Sequence, residues 1–264
     1  MANQHSFRRN SLHRKPWYKY TQSNGFRSFK LKLRQLAGIE PKFKKDIDLV
    51  TQNYPGWVIA PELLDDDDVV YSVGICNDID FELGIIEQHH VQLFAFDPTP
   101  YSVKWIEKQT LPANFNFFPW AAAGSNGSFY LYPRINNRGK ISEVMYTFHS
   151  HEEQRDDGVK VDAYTIESVA KKLGHSKIDL LKIDIEGAEY EVFNNLLNSP
   201  LRPKQILVEF HHRFKGIGAN KTVNAIKALH ENGYLIAHIS ATGREMSFVY
   251  KKALTQNKPS TSAL

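Results

Sequence analysis

The spacing of apolar residues changes period along the chain, and the change divides it into elements. Between residues 65 and 252, short apolar runs alternate with stretches in which apolar residues recur every three or four positions. Val69–Val73, Gln92–Phe96, Phe115–Trp120, Asp179–Ile185 and Gln205–Phe210 predict buried strands, because a continuous apolar run has no face to give to solvent. The intervening Asp80–Gln88, Ser102–Gln109, Thr165–Leu173, Ala188–Leu197 and Thr222–Asn232 predict helices. Strands alternating with helices imply an α/β fold: a Rossmann-like, mostly parallel sheet with helices on both faces. Tyr234–Ile239 and Met246–Lys251, joined through Thr242 and Gly243, predict an antiparallel pair at the end of that sheet. Residues 124–160 interrupt the alternation with GSNGSFYLYP and a polar stretch, which predicts an inserted excursion and the source of substrate specificity.

The ends read differently. Residues 1–24 mix basic and aromatic residues without a period, as a flexible arm does. In residues 25–38, Phe26, Phe29, Leu33 and Leu36 recur at helical spacing with Arg27, Lys30, Lys32 and Arg34 between them, which predicts a short basic amphipathic helix ending at Gly38. Two readings of it stay open: contact with an anionic membrane surface or acidic partner, or a helix packed on the body with its charges in water. The polar residues after Leu254 predict a frayed tail. The expected organisation is a basic arm over 1–45, one domain over 46–254 and a tail over 255–264.

Charge sharpens this division. The 264 residues carry a formal net charge of +4, but residues 1–45 hold 12 Lys and Arg against one acid, Glu40. The other 219 residues hold 21 basic and 28 acidic side chains. An acidic body argues against nucleic acid at the active site, although basic residues interleaved with Phe, Trp and Tyr leave it open for the arm. No stretch approaches the ~20 apolar residues of a membrane span. The single cysteine, Cys76, excludes an internal disulfide and a multi-cysteine zinc site, and it suits a reducing compartment. No apolar secretory segment follows the basic start, so a cytoplasmic location is expected, although an Arg-rich, acid-poor start also overlaps with organelle transit peptides.

In an open α/β sheet, ligands lie beyond the carboxyl ends of the strands, so the loops there carry the chemistry. VVYSVGICNDIDFE (69–82) and FAFDPTP (94–100) are the first two. Gly74 and Asp97 stand near the spacing of a glycine turn and a ribose-binding acid. A dinucleotide site needs further glycines at the helix start, whereas Asp78 and Asp80 there would repel a phosphate. A cofactor with ammonium and sulfonium charges and no phosphate fits better, and S-adenosylmethionine is such a molecule. Helix capping by Asp78 and Asp80, and a turn at Asp97 and Pro98, are the structural alternatives. The run Asp65–Asp68 reads as an exposed turn.

The segment IDLLKIDIEGAEYEVF (178–193) resembles the signature of the FkbM-like methyltransferases, S-adenosylmethionine-dependent enzymes with a seven-stranded Rossmann-like fold. Asp179, Leu180, Leu181, Lys182, Ile183, Asp184, Glu186, Gly187 and Glu189 match it, with Ile185 in a valine slot. FAFDPTP and ILVEFHH (206–212) resemble the family's second-strand turn and fifth strand. The resemblance covers about residues 65–252. The first loop departs from the usual family pattern and is similar to a subgroup in which Tyr71, Ser72, Gly74, Ile75, Asp78, Phe81 and Glu82 match. The resemblance implies methyl transfer, with Gly74, Asp78, Asp97, Pro98, Trp120 and Ala121 around the cofactor. Trp120 has two open roles there, stacking on adenine or packing in the core.

Methyl transfer to a hydroxyl needs alignment and a group that takes the acceptor's proton. Asp184, Glu186, Glu209, His211 and His212 lie at strand ends and are candidates. Asp184, Glu186 and His211 are the preferred catalytic set, since imidazole titrates near neutrality and an extended path would put Glu186 on the side of Asp184. Asp184, Glu209 and His211 also offer ligands for a divalent metal, although separate hydrogen-bonding roles are preferred and no metal ligand is assigned. His149 and His151 sit in a polar stretch read as a solvated loop. The expected function is O-methylation of a small molecule or glycan. A scaffold that keeps the fold without catalysis is the alternative, motivated by the altered first loop. A nicotinamide oxidoreductase is disfavoured by the missing glycines.

Overall fold

The computed structural model describes residues 23–135, 139–148 and 156–256. The chain opens with α1 (Asn24–Leu36), β1 (Gln52–Tyr54) and β2 (Trp57–Ile59). It continues through β3 (Val69–Val73), α2 (Asp80–His89), β4 (Gln92–Phe96), α3 (Pro100–Ile106), β5 (Phe115–Phe118) and β6 (Ala121–Ala122). The excursion supplies β7 (Gly127–Ile135), β8 (Ile141–Thr147) and β9 (Val159–Tyr164). Alternation resumes with α4 (Ile166–Leu173), β10 (Leu180–Ile183), α5 (Glu189–Asn198), β11 (Gln205–Glu209) and α6 (Ala219–Glu231). β12 (Tyr234–Ile239), β13 (Glu245–Tyr250) and α7 (Ala253–Gln256) close the described chain.

Seven strands form one sheet in the order β12-β13-β11-β10-β3-β4-β5. β5, β4, β3, β10 and β11 pair in parallel, while β13 runs antiparallel to both β11 and β12. The mostly parallel sheet and its antiparallel end bear out the expected fold class. Alternation along the strands builds two cores. Tyr71, Val73, Leu181, Ile183, Ile206 and Val208 pack on one face with α4, α5 and α6. Val70, Leu93, Ala95, Leu180 and Leu207 pack on the other with α2 and α3. From β3 the chain builds outward to β4 and β5 before crossing to β10 and β11 on the other side. The crevice between the carboxyl ends of β3 and β10 is therefore the switch point where this architecture takes its ligand.

Several boundaries move for local reasons. β5 ends at Phe118 and not at Trp120, because Pro119 has no N–H to give to a ladder. Thr99 and Thr165 are N-caps whose hydroxyls accept from the amides of Ser102 and Ser168, so α3 starts earlier and α4 one residue later than expected. The antiparallel pair β1 and β2, three residues each, was too short to show a period. The run of four aspartates is not all exposed turn: Asp68 is buried and paired with Lys177 and Lys204. α7 forms where the frayed tail was expected to start, and residues 257–264 lie outside the described residues. So do residues 1–22 of the arm, His149 and His151.

Candidate active site

β3 runs straight into the crevice and must turn at its end. Gly74 does so with φ +82°, and a Cβ there would stand 1.8 Å from the Asp184 carbonyl oxygen. Only glycine lets the two chain crossings approach this closely. Below the turn, the buried Lys182 ammonium pairs with Glu82 at 3.1 Å and donates to Ser72 Oγ and the Gly74 carbonyl, each at 3.2 Å. Ser72 in turn donates to Glu82 at 2.5 Å. Ser72, Gly74 and Glu82 of the atypical first loop and its helix thus form one hydrogen-bonded unit with the β10 lysine.

The loop after β4 is held by Asp97. One of its carboxylate oxygens accepts from the Cys76 amide at 2.9 Å, and the other accepts from the Thr99 amide and hydroxyl at 2.9 and 2.7 Å. Asp78 accepts from the Asp80 amide at 3.1 Å near the start of α2. The turn foreseen at Asp97 is present, whereas the capping foreseen for Asp78 and Asp80 is not: Ile79 is the N-cap of α2 and no side chain caps it. Asp78 and Asp97 both face the cavity described next. Burial, and then the Asp97 charge, push the Cys76 thiol up to about 11, which removes it as a nucleophile at neutral pH.

A cavity of about 570 Å³ opens over these loops. Gly74, Asp78, Asp97, Pro98, Trp120, Ala121, Asp184, Glu186, Glu209 and His211 all line it. Of the expected candidates His212 does not: it is buried behind, on Glu40 and Thr222. Trp120 borders the cavity and packs behind on Phe96, stacked, and on Phe118, tilted, so its core role is present. Its volume lies within the range of small-molecule sites. Six carboxylates border the cavity (Asp78, Glu82, Asp97, Asp184, Glu186 and Glu209) against three fixed cations, Arg134, Lys182 and Arg244. The excess negative charge suits a cationic ligand and opposes a pyrophosphate.

His211 lies at the centre of the acidic end. Its amide donates to Glu189 at 2.7 Å and its Nδ1 faces the same carboxylate at 3.4 Å. Nε2 then points to Asp184 at 3.6 Å, Glu209 at 3.7 Å and Glu186 at 4.0 Å. Burial alone would lower the imidazole, but the hydrogen bond and charge of Glu189, with Asp184 and Glu186, lift it to about 9. Burial raises Asp184 and Glu186 against the pull of His211. Glu209 is pushed up to about 7 by burial and then by the Asp184 charge, against Arg244. Asp184, Glu209 and His211 place one ligand atom each within 4.8 Å of one another, close enough to share a cation. Arg244, 2.5 Å from Glu209, and a protonated His211 already supply positive charge there.

Glu186 reaches the cavity by a different route from the one expected. β10 has ended, and the backbone turns with Glu186 in the left-handed region at φ +51°, so strand alternation does not place it. Arg134 of the excursion pairs with it at 3.1 Å and lies over the Phe214 ring.

A family model for the methyltransferase FkbM domain matches residues 58–236. The chain belongs to the FkbM methyltransferase family. No curated protein matches this chain. Among solved structures, methyltransferase FkbM from Methylobacillus flagellatus KT is similar at 11% identity and TM-score 0.44, over 71% of this chain and 44% of that one. This chain thus spans less than half the length of that relative. Aeropyrum pernix fibrillarin, solved with natively bound S-adenosyl-L-methionine, is similar at 10% identity and TM-score 0.36, over 71% and 67% of the two chains. A methyltransferase from Pyrococcus furiosus is similar at 12% identity and TM-score 0.35, over 85% and 96%.

Within this FkbM domain, several charged residues at the cavity have no role that the sequence alone discloses. Lys182 was matched only as a letter of the signature, although a charged residue inside the apolar run LLKI is itself a signal of a buried partner. Glu189, outside the cavity lining, is likewise only a letter of the signature, yet it accepts from the His211 amide and faces its ring. Arg134 and Arg244 carried no local signal, because each reaches the site from a distant element. No helix among the described residues is long and apolar enough to cross a membrane.

Proposed function

We propose that this FkbM-family chain transfers a methyl group from S-adenosylmethionine to a hydroxyl of a small molecule or glycan. The observation that carries the reading is His211: Glu189 holds one ring nitrogen, and the other is aimed at a cavity lined by Asp184, Glu186 and Glu209. An imidazole fixed on one side by a carboxylate is the arrangement that removes a proton from an oxygen nucleophile. Bound S-adenosylmethionine supplies an electrophilic methyl on a sulfonium. Asp97 has three of about four acceptor positions in use, which leaves one for a ribose hydroxyl. Pro98, Trp120 and Ala121 offer an apolar wall for adenine, and Asp78 an anion for the ammonium end. Asp184 and Glu186 offer negative charge for the sulfonium, and Leu131, Arg134 and Tyr146 of the excursion set the acceptor's shape. The rebuilt hydrogen-bonded first loop supports catalysis over a scaffold that has lost it.

His211 acts as base only after losing its proton, so kcat/KM should rise with pH, tenfold per unit, and level off near pH 9. The assay follows an isotope-labelled methyl group from S-adenosylmethionine into a panel of hydroxyl-bearing metabolites and glycans. His211→Gln should lower kcat by roughly 10²–10⁴-fold and remove the limb near pH 9. The close approach of Asp184, Glu209 and His211 supports a second reading, in which a divalent cation polarises the acceptor. Activity that survives chelation favours His211 as base, and activity that returns only with added cation favours the second reading.

A further inference from the structure

The arm's helix α1 faces the wrong way for a helix that only packs on the body. A surface helix normally buries its apolar stripe and shows its charges. Here Leu31 is the inward apolar contact: its side chain lies where a Cβ on Gly243 would meet it at 2.9 Å. Arg34, on the same side, donates to Glu40 at 3.0 Å. Phe29, Leu33 and Leu36 fall in one stripe at positions i, i+4 and i+7, and they are 57%, 49% and 76% exposed. Ile39, just beyond the helix, is 56% exposed. Lys30 and Lys32, both exposed, flank the stripe on either side.

The arm shows solvent no negative charge from its sequence up to residue 45 except through Glu40, and Glu40 is buried. It accepts from Arg34 and Arg213 and pairs with His212 at 2.7 Å. Burial pushes the carboxyl up, but Arg213 and His212 outweigh it and hold it below the usual range. The only acid of the arm is therefore its anchor to the loop after β11, next to His211.

We propose that α1 is a membrane-surface helix that lays Phe29, Leu33, Leu36 and Ile39 into the interface of an anionic bilayer. Lys30 and Lys32 extend their chains along the apolar stripe and place their ammonium groups among acidic headgroups. Charge complementarity and the apolar stripe together select lipid over a nucleic acid, which would call for stacking faces in place of the leucines.

Sedimentation of the full chain with vesicles tests this. Binding to phosphatidylcholine vesicles containing phosphatidylserine is expected, with little binding to phosphatidylcholine alone and a steep fall as salt rises. Phe29→Ser/Leu33→Ser/Leu36→Ser and, separately, Lys30→Glu/Lys32→Glu should each weaken binding by at least about tenfold. All five positions are exposed, so an unchanged thermal midpoint will show that the fold persists. No sedimentation with phosphatidylserine vesicles overturns the proposal. So does equal binding by the triple variant, or a protein that holds a soluble acidic polypeptide more tightly than the vesicles.

Discussion

Gly74→Ala should lower the unfolding free energy by more than about 4 kcal/mol, or prevent folding altogether. The added Cβ would stand 1.8 Å from the Asp184 carbonyl oxygen, and φ at +82° is strained for any side chain. The obstruction is backbone, so no rotamer change relieves it. The two segments that must separate are the turn after β3 and the end of β10, held together by the Asp184 amide donating to the Val73 carbonyl at 2.9 Å. Equilibrium denaturation by urea measures the loss. A variant within 1 kcal/mol of wild type (about fivefold in the folding constant) would mean that the crossing is looser than described.

Lys182→Met should cost about 3–5 kcal/mol, because it leaves Glu82 buried without its counter-charge. Lys182 is 5% exposed and Glu82 1% exposed at the side chain, so water cannot take the place of the lost partner. The ammonium also serves Ser72 and the Gly74 carbonyl, and its loss frees the first loop as well as the pair. Replacing both members, Lys182→Met with Glu82→Leu, should recover much of the stability, since a buried ion pair contributes little against apolar residues of similar volume. Denaturation of the two single variants and the double variant closes the cycle. Equal losses in the single and double variants would show that Lys182 acts through packing and not through the pair.

The sheet was legible because its signal is local. β3 and β4 stand at the residues their apolar runs predict, and β11 ends one residue early. The early end of β5 is also local: within the aromatic run FNFFPW, Pro119 has no N–H to continue the ladder. The loops at the strand ends disclosed the site by residue type, carboxylates at 78, 97, 184 and 186 and a histidine at 211, and the fold gathers them at one cavity. What the sequence could not disclose is who holds whom. Asp184 dictates that residue 74 be glycine across 110 residues of chain, and Glu186 meets Arg134 from an excursion 52 residues away. Glu40 showed only as an exception in a basic arm, and its contact with His212 spans 172 residues. Such pairings arise when topology brings loops together, and periodicity carries no trace of them.

The crevice between β3 and β10 is proposed as the site of a cationic nucleoside cofactor. Calorimetric titration of S-adenosylmethionine into the protein tests this most directly. One-to-one binding is predicted, with no heat from a nicotinamide dinucleotide. A protein whose circular dichroism shows it folded and which binds no S-adenosylmethionine, or which binds the dinucleotide instead, would contradict it.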